Sequence, residues 1–131
     1  MNSVRINEGQ EMHARRLRAK RVGTFCQLRK VIDPAVALVF EVEPQDIAAA
    51  TRRSPRAALA RQVAMYLAHV VCGLSMTEVG ALFSRDRTTV AHACEVVEDR
   101  RDDPDLDGRL ERLECAISDL MGALSWHGRG A

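Results

Sequence analysis

The chain has 131 residues, of which 47% are hydrophobic and 28% are charged, and its formal net charge is +1. This length and composition are typical of one globular domain and leave no room for two. No apolar run approaches the length that spans a membrane, and the N-terminus MNSVRINEGQ lacks the apolar core of a signal peptide, so we expect a cytoplasmic protein.

The small net charge hides an uneven distribution along the chain. Residues 1–61 contain 12 basic and 6 acidic side chains, whereas residues 62–131 contain 7 basic and 12 acidic ones. A basic half beside an acidic half predicts that one part of the molecule carries a positive surface, which would attract a negatively charged partner. Residues 1–24 hold a basic cluster at positions 15–21 and few apolar residues. We expect a flexible arm there, which either adds phosphate contacts or only keeps the protein soluble.

Two helices are predicted after this arm. Apolar residues recur at helical spacing over residues 25–40, and Pro34 inside this segment is expected to kink or split the helix. Pro44 suits the first position of a short helix that extends over residues 45–50. Residues 51–56, with the sequence Thr-Arg-Arg-Ser-Pro-Arg, are then predicted to form a basic loop.

A longer helix is predicted over residues 56–71. Gly73 ends this helix because glycine tolerates a positive φ, and only Leu74 separates it from the next helix. The long helix and the unit that follows are therefore expected to form one rigid body. The apolar stripe of the long helix consists of Leu59, Val63, Tyr66, Leu67 and Val70, with Arg56, Arg61, Gln62 and His69 largely outside it.

A helix-turn-helix is predicted over residues 75–92. Ser75 and Glu78 have the spacing of a capping box, residues 83–85 form the turn, and Asp86 is a suitable N-cap for the second helix. The first turn of this second helix is polar and its later turns are apolar. A recognition helix needs this pattern, because its N-terminal residues reach base edges while its apolar side packs on the domain. Similar helix pairs also occur as packing units that bind no DNA.

The last part of the chain is predicted to be an acidic connection over residues 99–107 followed by a helix. The apolar seam of this helix either packs inside the domain or joins a second copy as a coiled coil in a homodimer. Nothing alternates with period two, so the predicted fold class is all-α. We expect one domain over residues 25–125 and a flexible tail over residues 126–131. The seam consists of Leu106, Leu110, Leu113, Ile117, Leu120 and Leu124.

No residue pattern indicates catalysis or a cofactor. The sequence lacks the G-x-x-x-x-G-K-[ST] loop of nucleotide-binding proteins, and no nucleophile, base and acid form a plausible cluster. His69 and Cys72 have metal-ligand spacing, but ordinary packing explains them better. We therefore expect neither an enzyme nor a metal site. The cysteines lack any C-x-x-C pair and are expected to be buried free thiols at positions Cys26, Cys72, Cys94 and Cys115.

Four segments, at residues 52–54, 60–68, 75–80 and 85–93, follow each other at separations that match a known family. Over residues 31–124 the chain resembles the C-terminal DNA-binding domain of the bacterial replication initiator DnaA. The resemblance implies a compact all-α domain, with a long helix capped by a basic loop and a helix-turn-helix of the Trp-repressor type. The initiator's ATPase module has no counterpart in this sequence.

The resemblance also implies how such a domain binds double-stranded DNA. An arginine of the basic loop, here Arg53, enters the minor groove, and a recognition helix over residues 86–100 lies in the major groove. The Arg-Asp-His-Thr-Thr signature of the family corresponds to residues 85–89. The chain departs from the family in two ways: Arg87 replaces the histidine, and Ser84 alone stands where the family has two glycines.

The chemistry of the residues fits these roles. Asp86 can accept a hydrogen bond from a cytosine amino group, Arg87 can bind guanine O6 and N7, and Thr88 can contact thymine or a base edge. His92 is either a phosphate contact or a partly buried structural histidine. The predicted base contacts are Arg53, Asp86, Arg87 and Thr88, and the predicted phosphate contacts are Arg52, Arg56, Arg61, Met76, Thr77, Arg85, Thr89 and His92.

These features predict a sequence-specific DNA-binding protein that acts by occupying its site, as a transcriptional regulator or a modulator of replication initiation. The alternative is a protein-interaction module that retains the helical scaffold and binds a partner through the leucine seam of residues 106–124. Neither function requires a nucleotide or a membrane.

Overall fold

The computed structural model describes residues 27–49 and 54–129, and the side chains of these residues up to position 123. Within these ranges the regular structure is entirely helical, which confirms the predicted fold class. The basic arm, the basic loop residues Thr51, Arg52 and Arg53, and Cys26 lie outside the described residues. The helices are α1 (27–40), α2 (Pro44–Ala48), α3 (Pro55–Val70), α4 (Met76–Phe83), α5 (Arg87–Arg100) and α6 (Pro104–Arg129).

Helix α3 lies at the centre and packs against α2, α4 and α5. Because other helices surround it on several sides, α3 buries small residues such as Ala60, Ala64 and Ala68 in addition to its larger apolar side chains. The single predicted stripe is therefore wrong at two positions. Val70, predicted to be in the stripe, is 47% exposed, and Arg61, predicted to be outside it, is 9% exposed.

The ends of the first three helices differ from the prediction in detail. Helix α1 continues through Pro34 without a break, so the predicted split does not occur, and the proline itself is exposed. Pro44 is the first residue of α2, as predicted, but this helix ends at Ala48 and does not extend to residue 50. Helix α3 begins at Pro55, since the Ser54 hydroxyl accepts a hydrogen bond of 3.0 Å from the Ala57 amide. Arg56 therefore belongs to the first turn of α3 and not to the basic loop.

Only residues 101–103 separate α5 from α6, so the predicted acidic connection over residues 99–107 is wrong at both ends. Pro104 starts α6, where a missing N–H does no harm, and the acidic residues of the first turn favour a helix start. The seam packs inside the domain over its first four positions, whereas Leu120 is 47% exposed. The Leu124 side chain lies outside the described part. The buried positions are Leu106, Leu110, Leu113 and Ile117.

An ion pair on α1 holds this helix against the end of α4. Arg29 pairs with Asp33 at 2.8 Å, and its guanidinium lies 4.3 Å from the centre of the Phe83 ring. It also donates a hydrogen bond of 3.4 Å to the Leu82 carbonyl. Burial raises the pKa of Asp33, and the neighbouring Arg29 opposes this shift. The pair links the first helix of the domain to the helix-turn-helix.

A polar cluster joins α3, α5 and α6 at the other end of the molecule. Tyr66 donates a hydrogen bond to Glu98, and Arg101 donates one of 3.0 Å to the Tyr66 hydroxyl. Arg101 also pairs with Asp107 at 2.7 Å and with Glu114 at 2.9 Å. Burial and the Glu98 hydrogen bond raise the pKa of Tyr66 to about 12. Burial alone would lower the pKa of Arg101, but its three hydrogen-bond partners raise it.

The cysteines of the described residues are free thiols in different environments. Cys94 is buried, Cys72 is half-buried and Cys115 is exposed, so the prediction of a buried thiol is wrong for Cys115. Burial raises the pKa of both Cys72 and Cys94. Within the described part, no group of histidine, cysteine and acidic side chains is arranged to hold a metal ion. None of the described helices is long and apolar enough to cross a membrane.

We expect the single tyrosine, Tyr66, to have a higher pKa in the folded chain than in the unfolded chain. Because the folded pKa of Tyr66 is raised from 10.0 to about 12, the stability it contributes is fully present below pH 10 and is lost as the pH rises through 12. Tyrosinate absorbance during a pH titration of the native protein measures this pKa. A midpoint near that of free tyrosine would contradict the cluster, and Glu98→Gln is expected to move the midpoint downward.

Candidate nucleic-acid interface

The helix-turn-helix is attached rigidly to α3. Gly73 has φ of +73°, as predicted for the residue that ends the helix. His69 donates a hydrogen bond of 2.7 Å from Nδ1 to the Leu74 carbonyl, and the Leu74 amide donates one of 3.3 Å to the Ala68 carbonyl. His69 is thus a helix-end histidine that fixes the junction.

The predicted capping box at the start of α4 is confirmed. The Glu78 amide donates to the Ser75 hydroxyl at 3.1 Å, and the Ser75 amide donates to the Glu78 carboxylate at 2.8 Å. The amides of Met76 and Thr77 lie in the first turn of this helix, and Thr77 is exposed. This first turn presents the positive end of the helix dipole to solvent.

The turn between the two helices begins one residue later than predicted. Phe83 is buried and ends α4, and Ser84 adopts the left-handed conformation with φ of +55°. The Arg85 amide donates a hydrogen bond of 2.8 Å to the Gly80 carbonyl. A Cβ atom at Gly80 would lie 2.5 Å from the Arg85 carbonyl oxygen, so the turn lies directly on the α4 backbone. The sequence interpretation did not single out Gly80.

Helix α5 has the polar first turn and buried later turns that were predicted. Val90, Ala93 and Val97 are buried, whereas residues 86–89 are exposed. Asp86 occupies the N-cap position, but its side chain makes no capping hydrogen bond. It accepts a hydrogen bond of 3.2 Å from the Thr88 hydroxyl instead. The Asp86 carboxylate is thereby held outside the helix, where its remaining acceptor positions face solvent.

A cleft lies between α3 and the N-terminal half of α5. His92 is exposed at this cleft, so the alternative of a partly buried structural histidine is wrong. Arg56 is exposed at the start of α3 and lies 3.9 Å from Glu41. The minor-groove candidate Arg53 and its neighbour Arg52 fall outside the described residues. Residues that line the cleft include Arg61, Gln62, Arg85, Thr89 and His92.

Two predicted phosphate contacts are engaged inside the domain. The Arg61 guanidinium donates hydrogen bonds of 3.0 Å to the carbonyls of Ile47 and Asp46 at the end of α2. Arg85 donates one of 2.7 Å to the Ala49 carbonyl. Both cations still border the cleft, but these contacts give each of them a structural role that the sequence did not reveal.

The charges of α5 separate along the helix. Its first turn carries Arg87 at the positive end of the helix dipole, whereas its last turns carry the three acidic residues Glu95, Glu98 and Asp99 beside one basic residue, Arg100. The exposed acidic residues Asp102 and Asp103 follow directly. The acidic end therefore lies about 20 Å from the first turn of a helix of this length. This arrangement attracts a polyanion to the N-terminal end of α5 and repels it from the other end.

The comparison with protein families and curated proteins gives a consistent match. The family model of the bacterial dnaA protein helix-turn-helix matches residues 30–97. The chromosomal replication initiator protein DnaA 2 of Chlamydia muridarum is 42% identical over 66 residues, which cover 50% of this chain and 14% of that protein. The DnaA protein of Bartonella quintana is 41% identical over 90 residues, which cover 67% of this chain and 18% of that protein.

Solved structures with the same arrangement include two replication initiators. One, described as the crystal structure of DNA replication initiation factor, has a TM-score of 0.63 at 27% identity and covers 87% of this chain. The other, replication initiator DnaA bound to AMPPCP and single-stranded DNA, has a TM-score of 0.61 at 31% identity and covers 86% of this chain. The matched regions make up 38% and 32% of those two chains.

We expect Gly80→Ala to destabilise the domain by about 1–3 kcal/mol, because the new Cβ atom forces the turn backbone away from α4. Gly108→Ala is the matched control. Position 108 lies inside α6 with no atom within 4 Å of a Cβ, so this change is expected to stabilise by about 0.5–1 kcal/mol. Denaturant unfolding measures both. Equal effects of the two substitutions would contradict the close approach at Gly80.

Ser84→Gly is expected to raise the free energy of unfolding by about 1 kcal/mol. A left-handed conformation is unfavourable for any residue with a Cβ atom, and glycine removes this penalty at Ser84, where φ is +55°. Ser84→Val should have the opposite effect, since a β-branched residue tolerates this conformation least. Thermal and denaturant unfolding test the pair. A Ser84→Gly protein less stable than the parent would show that the serine side chain itself stabilises the turn.

Proposed function

The chain belongs to the bacterial DnaA helix-turn-helix family, which binds DNA, and from this premise we propose that it is a sequence-specific reader of double-stranded DNA. The proposal rests chiefly on one observation. Asp86, Arg87 and Thr88 are exposed together on the first turn of α5, while the later turns of the same helix are buried in the core. A helix anchored in this way can place its N-terminal side chains in the major groove without distorting the domain.

Each exposed side chain has a base-edge partner that suits its chemistry. The Asp86 carboxylate accepts from the cytosine amino group, and the Arg87 guanidinium donates two hydrogen bonds to guanine. Thr88 offers a methyl group to thymine, and its hydroxyl orients Asp86 through the hydrogen bond of 3.2 Å. Together these residues read adjacent base pairs, and the carboxylate also disfavours bases that present only acceptors.

Other exposed groups fix the position of the domain on the duplex. The amides of Met76 and Thr77 at the start of α4 bind one phosphate, and Thr89 and His92 on α5 contact the strand beside the cleft. Arg56 lies where the chain enters α3, and Arg52 and Arg53 are proposed to reach the backbone and the minor groove. These contacts supply affinity that depends on salt rather than on sequence.

Arg87 distinguishes this chain from the family pattern. Histidine can donate one or two single hydrogen bonds, whereas a guanidinium donates a bidentate pair and remains charged at every physiological pH. We therefore propose that the preferred site of this protein has a guanine at the base pair that Arg87 faces. The site then differs at that position from the site of relatives that carry histidine.

The proposed mode of action is occupancy of the site. The chain covers 14% and 18% of the two curated relatives described above, and occupancy requires only the exposed first turn of α5 and the surrounding phosphate contacts. Bound protein would block or assist another machine at the same DNA, either at a promoter or at an origin of replication. Both roles follow from the same interface and differ only in where the site lies.

Arg87→Ala is expected to weaken binding to the preferred site by about 1–3 kcal/mol and to leave binding to random duplex nearly unchanged. The reason is that the bidentate contact exists only with the correct base pair. Arg112→Ala, which removes an exposed arginine of α6, is the control for loss of one positive charge. Fluorescence anisotropy with both duplexes at fixed salt gives the two affinities. An equal loss on both duplexes would assign Arg87 to the phosphate backbone.

A further inference from the structure

Helix α2 ends without the usual means of satisfying its last carbonyl groups. Its five residues include no basic side chain in the last turn, and its C-cap residue Ala49 is extended, with φ of −59° and ψ of 141°. The final carbonyls of any helix lack partners within that helix. A left-handed C-cap residue commonly satisfies them, but Ala49 does not adopt that conformation. Water or groups from elsewhere in the molecule must therefore bind them.

Two arginines from other elements supply these partners. Arg61 on α3 donates to Ile47 and Asp46, and Arg85 in the turn donates to Ala49. Arg61 is almost completely buried and Arg85 is half-buried, so water competes weakly for either set of hydrogen bonds. The end of α2 is thus capped by cations from α3 and from the helix-turn-helix.

The Arg85 guanidinium caps a second helix at the same time. Its Nη1 donates hydrogen bonds of 3.1 Å to the Phe83 and Ser84 carbonyls at the end of α4, while Nη2 binds Ala49. The next residue along the chain is the N-cap of α5. One planar group therefore connects the ends of α2 and α4 at the point where the recognition helix begins.

We propose that Arg85 is a positioning residue that sets the orientation of the recognition helix relative to α2, and that this role, more than a phosphate contact, determines its effect on DNA binding. The inference rests on the proposed DNA-reading function. It assigns to Arg85 an influence on base selection that does not depend on a base contact of its own. Displacement of the first turn of α5 would misalign Asp86 and Arg87 with the base edges they read.

Arginine suits this role and lysine does not. A guanidinium presents five N–H donors in a fixed plane, which lets Arg85 reach carbonyls on two sides at once. A lysine ammonium is a compact charge on a flexible chain and cannot hold the same three acceptors in this geometry. A phosphate contact, in contrast, needs mainly the positive charge. Arg85→Lys therefore separates the two roles, because it keeps the charge and removes the planar fork.

The experiment compares the parent and Arg85→Lys on the preferred duplex and on random duplex over a range of salt concentrations. We expect Arg85→Lys to lower affinity for the preferred site roughly tenfold, with little loss on random duplex. A tenfold change lies within the range of interaction energies measured between residues in contact. The slope of the logarithm of affinity against the logarithm of salt should remain that of the parent, because no phosphate contact is lost. Full retention of site preference by Arg85→Lys would overturn the proposal.

A double-mutant cycle with Arg87→Ala tests whether Arg85 acts through the recognition helix. In the Arg87→Ala protein, Arg85→Lys is expected to have much less effect on the preferred site than in the parent, since one of the base contacts it aligns is already absent. Strictly additive effects would overturn the positioning role. Arg85→Ala provides the complementary result: an equal loss on both duplexes, with a salt slope reduced by about one, would make Arg85 an ordinary phosphate contact.

Hydrogen exchange without DNA provides an independent measurement. If Arg85 caps both helices, Arg85→Lys is expected to accelerate amide exchange at the ends of α2 and α4 and to leave the centre of α3 protected. Arg112→Lys is the matched control. Unchanged exchange at both helix ends would show that Arg85 does not hold them and would overturn the proposal. If the parent binds no duplex, the proposed function fails, whereas this measurement still decides whether Arg85 joins α2 to α4.

Discussion

The contact between Gly80 and the turn backbone is the constraint on which the proposed DNA-reading end of the molecule depends. The Arg85 carbonyl lies so close to α4 that no side chain fits at position 80, and the Arg85 amide returns a hydrogen bond of 2.8 Å to the Gly80 carbonyl. Ser84, between these two contacts, adopts a left-handed conformation. The single residue Ser84 thus reverses the chain, and α5 leaves the turn with its polar first turn exposed and its later turns buried.

Helix α3 transmits this arrangement to the rest of the domain. It packs against α2, α4 and α5, Arg61 holds the end of α2, and His69 fixes the junction to α4. Tyr66 extends the same support to α5 and α6 through Glu98 and Arg101. The residues proposed to read DNA are therefore few and exposed, while the residues that hold the surrounding helices together are distributed over α1, α3, α5 and the two connections beside α4. A mutation far from the interface can change DNA recognition for this reason.

Features that depend on neighbours in sequence were predictable, and features that depend on distant neighbours were not. The Ser75–Glu78 capping box and Gly73 follow local rules and were predicted correctly. The role of Gly80 was missed because a glycine within a helical pattern has several explanations. Arg61 and Arg85 were assigned to phosphate alone, since the carbonyls that they bind at the end of α2 lie 14 to 36 residues away in the chain. The sequence shows that an arginine is charged, but only the fold determines which carbonyls lie within hydrogen-bond distance of it.

The central claim is that the first turn of α5 selects a DNA sequence, and selection of bound duplexes from a random pool at moderate salt tests it most directly. The account predicts enrichment of a short motif with a guanine at the position that Arg87 faces and a cytosine opposite Asp86. Because phosphate contacts alone carry no sequence information, a folded protein that binds the pool without enriching any motif would contradict sequence-specific readout by this helix.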